Sequence, residues 1–419
     1  MPSSLAPVAA LLISVAILLT GNGLQGTLLP IRAQIENFSA FSIGVLGSAY
    51  FAGFAAGCLL GPRLIGRVGH IRTFTTMSAI ATACILGFGL QQAPLVWWVL
   101  RASSGVCFAV LYVVIESWLN ERATNETRGL ILSAYLIINL TVITIGQMLV
   151  TVASPSTFTL FALTAILISL GAVPVALTRA IAPAPPAALR PRLGVLFTNS
   201  PVGFVACLAV GVCNGAFWAL SPMFAHDSGM GVRGIALFMS ATVIGGAIGQ
   251  WPFGWLSDNM DRRRVIVACC VGASLIAAAL TQAPFAAPWM MLALAAAWGA
   301  CAFSLYAISV AHSNDFAEAD SYVEVSSGLL LLFGIGAVIG PLLIAPLLAW
   351  LGPWALYGST LVVHALLAVY ALWRISQRAP APLEEHVSFD EAAQAAITSS
   401  TVFIENAPAA HSADERRSG

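Results

Sequence analysis

Twelve long apolar runs, from about residues 8–30 to about residues 353–374 with short turns between them, constrain this chain more than any other feature. A hydrocarbon layer about 30 Å thick is crossed by about 20 helical residues, and open sheet edges find no hydrogen-bond partner inside it. Runs of this length therefore predict membrane-crossing helices. Composition agrees, because 59% of the 419 residues are hydrophobic and only 9% are charged, with a mean hydropathy of +0.89. No single water-soluble core can hide that much apolar surface. The fold class predicted is an all-α membrane protein of twelve transmembrane helices.

The runs are not independent of one another. Residues 249–264, G-Q-W-P-F-G-W-L-S-D-N-M-D-R-R-R, have an earlier counterpart at 57–72, G-C-L-L-G-P-R-L-I-G-R-V-G-H-I-R. Superposed without a gap, Leu64 falls on Leu256 and Arg72 on Arg264, and the same offset lays Asn22 on Asn214, Gly23 on Gly215 and Pro30 on Pro222. Gly340-Pro341 falls on Gly146-Gln147 at nearly that offset. A duplicated unit of this kind predicts two pseudo-symmetric six-helix halves, residues 1–178 and 201–375. A Pro-rich stretch, 179–200, reads as a stiff linker between them, and 376–419 as a disordered tail. Arginines gather in one set of loops (Arg63, Arg67, Arg72, Arg122, Arg128, Arg262, Arg263, Arg264), whereas only Arg32 and Arg233 mark the other. The positive-inside rule then places both termini, the linker and the tail in the cytoplasm.

The 249–264 stretch resembles the signature of the major facilitator superfamily, a loop reading roughly G-x-x-x-D-R-x-G-R-R between the second and third helices of each half. Gly254, Asp258, Arg262 and Arg263 match it, while Asn259 and Asp261 depart from it. In the first copy Arg67 and Gly69 match, with Pro62, Gly66, His70 and Ile71 at the other places. The resemblance covers about residues 8–376. It implies an inner-membrane secondary transporter that rocks its halves around a midplane cavity lined by the first, fourth, fifth, seventh, eighth and tenth spans. Arg101-A-S-S-Gly105 resembles the R-x-x-x-G pattern of many proton-coupled members, which implies a coupling role for Arg101. The Gly-Pro motif usual in the fifth span of drug antiporters reads Gly146-Gln147 here, so uptake and export both stay open.

Polar residues inside apolar helices are costly unless paired or hydrated, which makes each a candidate for function, with helix-to-helix glue as the alternative. At about 100° per residue, Arg101, Gly105, Tyr112 and Glu116 share one face of the fourth span. Glu116 could take and release protons from a half-wet vestibule, or pair with loop arginines. The expected substrate cavity comprises Asn22, Gln25 and Arg32 of the first span, Arg101 of the fourth, Tyr135 and Asn139 of the fifth, Asn214 and Trp218 of the seventh, and the aromatics Trp251, Trp298 and Tyr306. Trp97, Trp98 and Trp289 read instead as belt residues at span ends. The gate is expected from Arg67, Arg72, Asp258, Arg262, Arg263, Asp315 and Glu324. In it, when the cytoplasmic side is closed, Asp258 would cap the fifth helix near Arg128 and Gly129, and Arg72 would pair with Glu324 across the halves.

Every basic residue other than His is Arg. No G-x-x-x-x-G-K-[ST] loop is therefore possible, and the energy source expected is a proton or other coupling-ion gradient. The six His form no H-E-x-x-H or triad, so a membrane enzyme is disfavoured. The eight Cys sit in apolar runs without metal-ligand spacing and read as core residues, with no cofactor and no metal expected. No basic domain points to nucleic acid. The partners expected are a small-molecule substrate, a coupling ion and the lipid bilayer, with the chain a monomer. A sensor that has lost transport is the competing class.

Overall fold

The computed structural model describes residues 8–124, 127–177, 192–282, 287–317 and 321–378, together with 382, 386 and 389. Six helices make the first half's crossings: α1 (Ala9–Ile35), α2 (Ala40–Val68), α3 (His70–Leu90), α4 (Pro94–Arg122), α5 (Arg128–Leu149) and α6 (Thr159–Gly171), which α7 (Val173–Ala176) extends. After α8 (Leu193–Asn199) come the second six: α9 (Pro201–Asp227), α10 (Val232–Asn259), α11 (Arg262–Leu280), α12 (Pro288–Asn314), α13 (Tyr322–Leu351) and α14 (Ala355–Gln377). Twelve crossings have the length and apolarity to span a membrane, as the sequence predicts.

The helix ends follow local chemistry. Ser39 accepts a hydrogen bond from the Ser42 amide at 3.2 Å to start α2, and Ser200 accepts one from Gly203 at 3.3 Å to start α9. Proline opens α4, α9 and α12, where the missing amide costs nothing. Between α13 and α14 the expected tight turn is made by Gly352 at φ +91°, a backbone angle that suits glycine.

Close helix pairs repeat across the halves. Gly53 and Gly57 set α2 against the α4 backbone at Ala102 and Val106; their counterparts Gly245 and Gly249 set α10 against α12 at Ala296 and Ala300. Gly23 meets Ile143 of α5, and Gly215 meets Ala337 of α13. A methyl group at any of these positions would collide with backbone, so glycine is what allows the approach.

The apolar cores divide by depth. At the arginine-poor face one core is shared, running from Leu28, Ile43 and Leu46 to Phe217, Phe224 and Ile344. Toward the arginine-rich face there are separate cores, one in the first half around Phe74, Phe108 and Trp118, and another in the second around Val265, Cys269 and Ile308. The halves are also tied by Ser48, which donates to the Val338 carbonyl at 2.6 Å, and by Ser240, which donates to Gln147 at 3.2 Å.

Two boundary expectations change. Of the linker, 179–191 lies outside the described residues, but 193–199 is helical, with Leu196 buried among α9, α12 and α13 residues. In the tail expected to be disordered, Phe389 is 5% exposed and packs on Gly254. Its amide donates to Asp258 Oδ1 at 2.9 Å, and most of the rest of the tail lies outside the described residues.

Asp261 begins α11. Its carboxylate accepts from the Arg263 amide at 3.0 Å and takes the Arg263 guanidinium through both oxygens, at 3.0 and 2.8 Å. Burial pushes the Asp261 carboxyl up, but these bonds and the adjacent charge outweigh it and hold the group below the ordinary carboxylate range. Its contribution is therefore present above the unfolded pKa and disappears as pH falls through the lowered folded value. Asp261→Ala should cost about 0.5–2 kcal/mol, the usual worth of such a cap, and thermal melts at pH 7 and pH 3 should show the difference shrinking in acid. An equal difference at both pH values would rule the cap out as its source.

Candidate functional site: a two-faced central cavity

Between the halves lies a cavity of about 460 Å³, a volume that suits a small organic molecule. Its first-half wall carries a ladder of polar groups. The Arg101 guanidinium sits over the Tyr50 ring, 4.2 Å from its centroid. Asn22 lies beside both Tyr50 and Tyr112, and Asn139 lies beside both Tyr112 and Tyr135. The Tyr135 hydroxyl donates to Glu116 at 3.3 Å. Arg101 and Glu116, about 22 Å apart along α4 at 1.5 Å per residue, are thus the two ends of one polar strip. The helical spacing that put them on one face predicted this, and Tyr135 is one partner of Glu116.

The second-half wall is of another kind. Trp218, Ala219, Leu330, Leu331, Phe333 and Gly334 line it, and none brings a charge. Trp218 is held by Phe217 and Phe303, with ring centroids 5.3 and 6.2 Å away.

Asn22, Arg101, Tyr135, Asn139 and Trp218 are brought together as expected, and Glu116, expected as a proton site, lines the same cavity. Six other expected cavity residues are not. Gln25 is 1% exposed and turns to Ser104 of α4, at 3.5 Å. Arg32 ties the end of α1 to the loop between α5 and α6, donating to the Pro155 carbonyl at 3.0 Å, and pairs with Glu36 at 2.6 Å. Asn214 is buried off the cavity wall. Trp298 stacks on Phe217 inside the shared core, centroids 5.5 Å apart, and Tyr306 packs edge-on behind Phe333 at 5.1 Å. Trp251 is 82% exposed on the outer, lipid-facing side of α10. Of the belt residues, Trp289 is exposed, but Trp97 is fully buried between Phe38 and Phe88.

The expected cavity held no residue of α2 or α13, yet both line it. Tyr50 had a usable signal, a lone tyrosine in the middle of an apolar span. Leu330, Leu331 and Phe333 had none, because apolar residues in an apolar helix do not distinguish a cavity wall from a lipid face.

Several gate residues sit within one half. Arg262 Nε meets Asp315 Oδ2 at 2.8 Å with both side chains buried, its Nη1 donates to Ser257 at 3.2 Å, and its Nη2 lies 3.4 Å from Asp258. Arg263 holds Asp261 and donates to the Arg378 carbonyl at 2.7 Å. Glu324, expected to meet Arg72 when the cytoplasmic side is closed, is gripped in this conformation by Arg192 of the connecting segment at 2.8 and 3.1 Å. Arg67 and Arg72 are exposed at the arginine-rich face. All eight cysteines are buried and none is in a disulfide. Among the described residues no cluster of His, Cys, Asp and Glu has the arrangement to hold a metal ion.

Two like bundles of six membrane-crossing helices, closed on each other at one face around a polar-lined midplane cavity, make up a solute carrier of the polytopic helical class. The sequence profile of the Major Facilitator Superfamily matches residues 11–317 and 203–409, and the chain belongs to that family. It is similar to the "uncharacterized MFS-type transporter YcaD" of Escherichia coli O139:H28, at 30% identity over 346 residues covering 80% of this chain and 87% of that one. The YcaD of Escherichia fergusonii is 28% identical over 337 residues with the same coverage. Among solved structures, a variant of the nucleoside transporter NupG superposes with a TM-score of 0.76 at 14% identity, covering 87% of this chain and 98% of that one. A bacterial homologue of the human lysosomal transporter Spinster does so with 0.69 at 13%, covering 93% and 99%. These likenesses establish the fold, and the family establishes a multi-pass transporter of the bacterial inner membrane.

Proposed function

We propose that this carrier moves a small organic solute by alternating access and couples the movement to protons. The observation that supports alternating access best is the division of the apolar cores: one core shared by both halves at the arginine-poor face, and separate cores at the other. By the positive-inside rule the arginine-rich face is cytoplasmic, so the conformation described is closed to the outside. Separate cores can part without tearing one another, and rocking about the cavity would expose it to each side in turn. In the opposite conformation Asp258 would leave Phe389 for the amide-rich start of α5, and exposed arginines such as Arg72 would face the acidic residues of the second half. Proton coupling is supported by Glu116, a buried carboxylate on the cavity wall, 3% exposed.

The test is uptake of a panel of radiolabelled small organic molecules into proteoliposomes bearing an imposed pH gradient. A cargo should accumulate above its equilibrium level, and a protonophore should abolish the accumulation. If no compound shows protein-dependent flux with or without a gradient while one binds specifically, the carrier reading fails in favour of a sensor.

A further inference from the structure

The two walls of the cavity are chemically unlike, and the polar one ends in a cation with an unused hydrogen-bond donor. Arg101 Nη1 is buried without a hydrogen-bond partner among the described residues. The group that faces the guanidinium is the Tyr50 ring, which offers the negative face of its quadrupole and no counter-charge. Glu116 lies at the far end of the strip, about 22 Å along α4, and accepts from Tyr135. A guanidinium in apolar surroundings is stabilised by an anion that can use its forked donors. Across the cavity Trp218, Leu330, Leu331 and Phe333 present an apolar face to the same space, where water gains nothing and a hydrocarbon or aromatic surface gains by leaving solvent.

We infer that the cargo is an amphipathic organic monoanion, its acidic group held at Arg101 and its apolar flank laid against the α9 and α13 wall. This rests on the carrier reading and supplies its substrate class. One guanidinium matches one acidic group. The second half, bringing no charge to the cavity, discriminates by shape and apolarity alone. Asn22, Tyr112 and Asn139 remain to bond neutral polar groups along the edge of the cargo.

Three probes with one apolar body separate the possibilities: 4-phenylbutyrate, 4-phenylbutan-1-ol and 4-phenylbutylamine, titrated calorimetrically at pH 7.5 into the full-length protein in phosphatidylcholine nanodiscs. The carboxylate should bind about tenfold more tightly than the alcohol, in the range of a hydrogen bond to a charged group, and the ammonium compound should bind more weakly than either. Arg101→Gln should bring carboxylate and alcohol to within about twofold, while Arg101→Lys, a point charge without the fork, should keep part of the preference. Thermal melts of both variants would confirm that they are folded. Ammonium binding equal to or tighter than carboxylate binding overturns the inference, as does a tenfold preference that survives Arg101→Gln, or no detectable binding of any probe at millimolar concentration. The carrier reading fails separately: carboxylate preference without flux of any compound leaves the anion site standing and removes the transport, whereas flux of the ammonium compound alone does the reverse.

Discussion

Asp315→Ala is expected to destabilise the protein by roughly 3–5 kcal/mol, the cost of breaking a buried ion pair by removing one partner. Arg262 and Asp315 are the most enclosed ion pair among the described residues, at 0% and 1% side-chain exposure and 2.8 Å apart. With the carboxylate gone, Arg262 keeps Ser257 at 3.2 Å and a longer contact to Asp258 at 3.4 Å. Asp258 is itself 36% exposed and already accepts from the Phe389 amide, so it compensates poorly. Asp315→Asn keeps an oxygen acceptor and should lose less. The double variant Arg262→Met with Asp315→Leu should recover most of the loss, since two apolar side chains leave no charge to solvate. Melting temperature and yield of folded protein in one detergent would measure all three. A melt of Asp315→Ala indistinguishable from the parent would show that the pair is dispensable. The Arg192–Glu324 pair has comparable distances but an exposed arginine, and water competes for both partners, so its removal should change the melt little.

The second large effect is on function. Glu116→Gln is expected to abolish accumulation of cargo driven by a pH gradient, while exchange of labelled for unlabelled cargo across the same membranes continues. A carboxylate on a cavity wall meets different surroundings when the cavity faces opposite sides, and a group whose surroundings change between two states binds protons differently in each. Glutamine keeps the shape and can still meet the Tyr135 hydroxyl, but it has no proton to trade. Exchange needs the conformational cycle and no net proton movement, so it isolates coupling from folding. Accumulation that persists in Glu116→Gln would place the proton site elsewhere or make the carrier a uniporter.

The sequence carried the architecture more fully than the site, for a physical reason. Glycines that set helices in contact cannot be exchanged without moving backbone, so Gly23, Gly57 and their counterparts Gly215 and Gly249 survive as a visible repeat. Arg101 and Glu116 were legible because two charges in one apolar helix, on one face, need a common polar environment. Gln25, Asn214 and Trp298 were misplaced because helical spacing gives an angle around the axis and says nothing of what stands opposite. Gln25 meets Ser104, and Trp298 meets Phe217, contacts that only the packing of several helices decides. The seat of Phe389 was missed for a related reason, since Gly254, on which it packs, lies far away in the chain.

The glycine seams have a mechanical consequence. Helices held backbone to backbone have few long side chains between them to bend or repack, so each half resists deformation and can act as a lever arm. The shared core at the arginine-poor face lies where a fulcrum would be. For a helix about 30 Å long, tilting such an arm by about 10° carries its far end about 5 Å sideways, more than the width of a water molecule. A softer half would absorb that tilt internally; a stiff one delivers it to the opposite face as an opening.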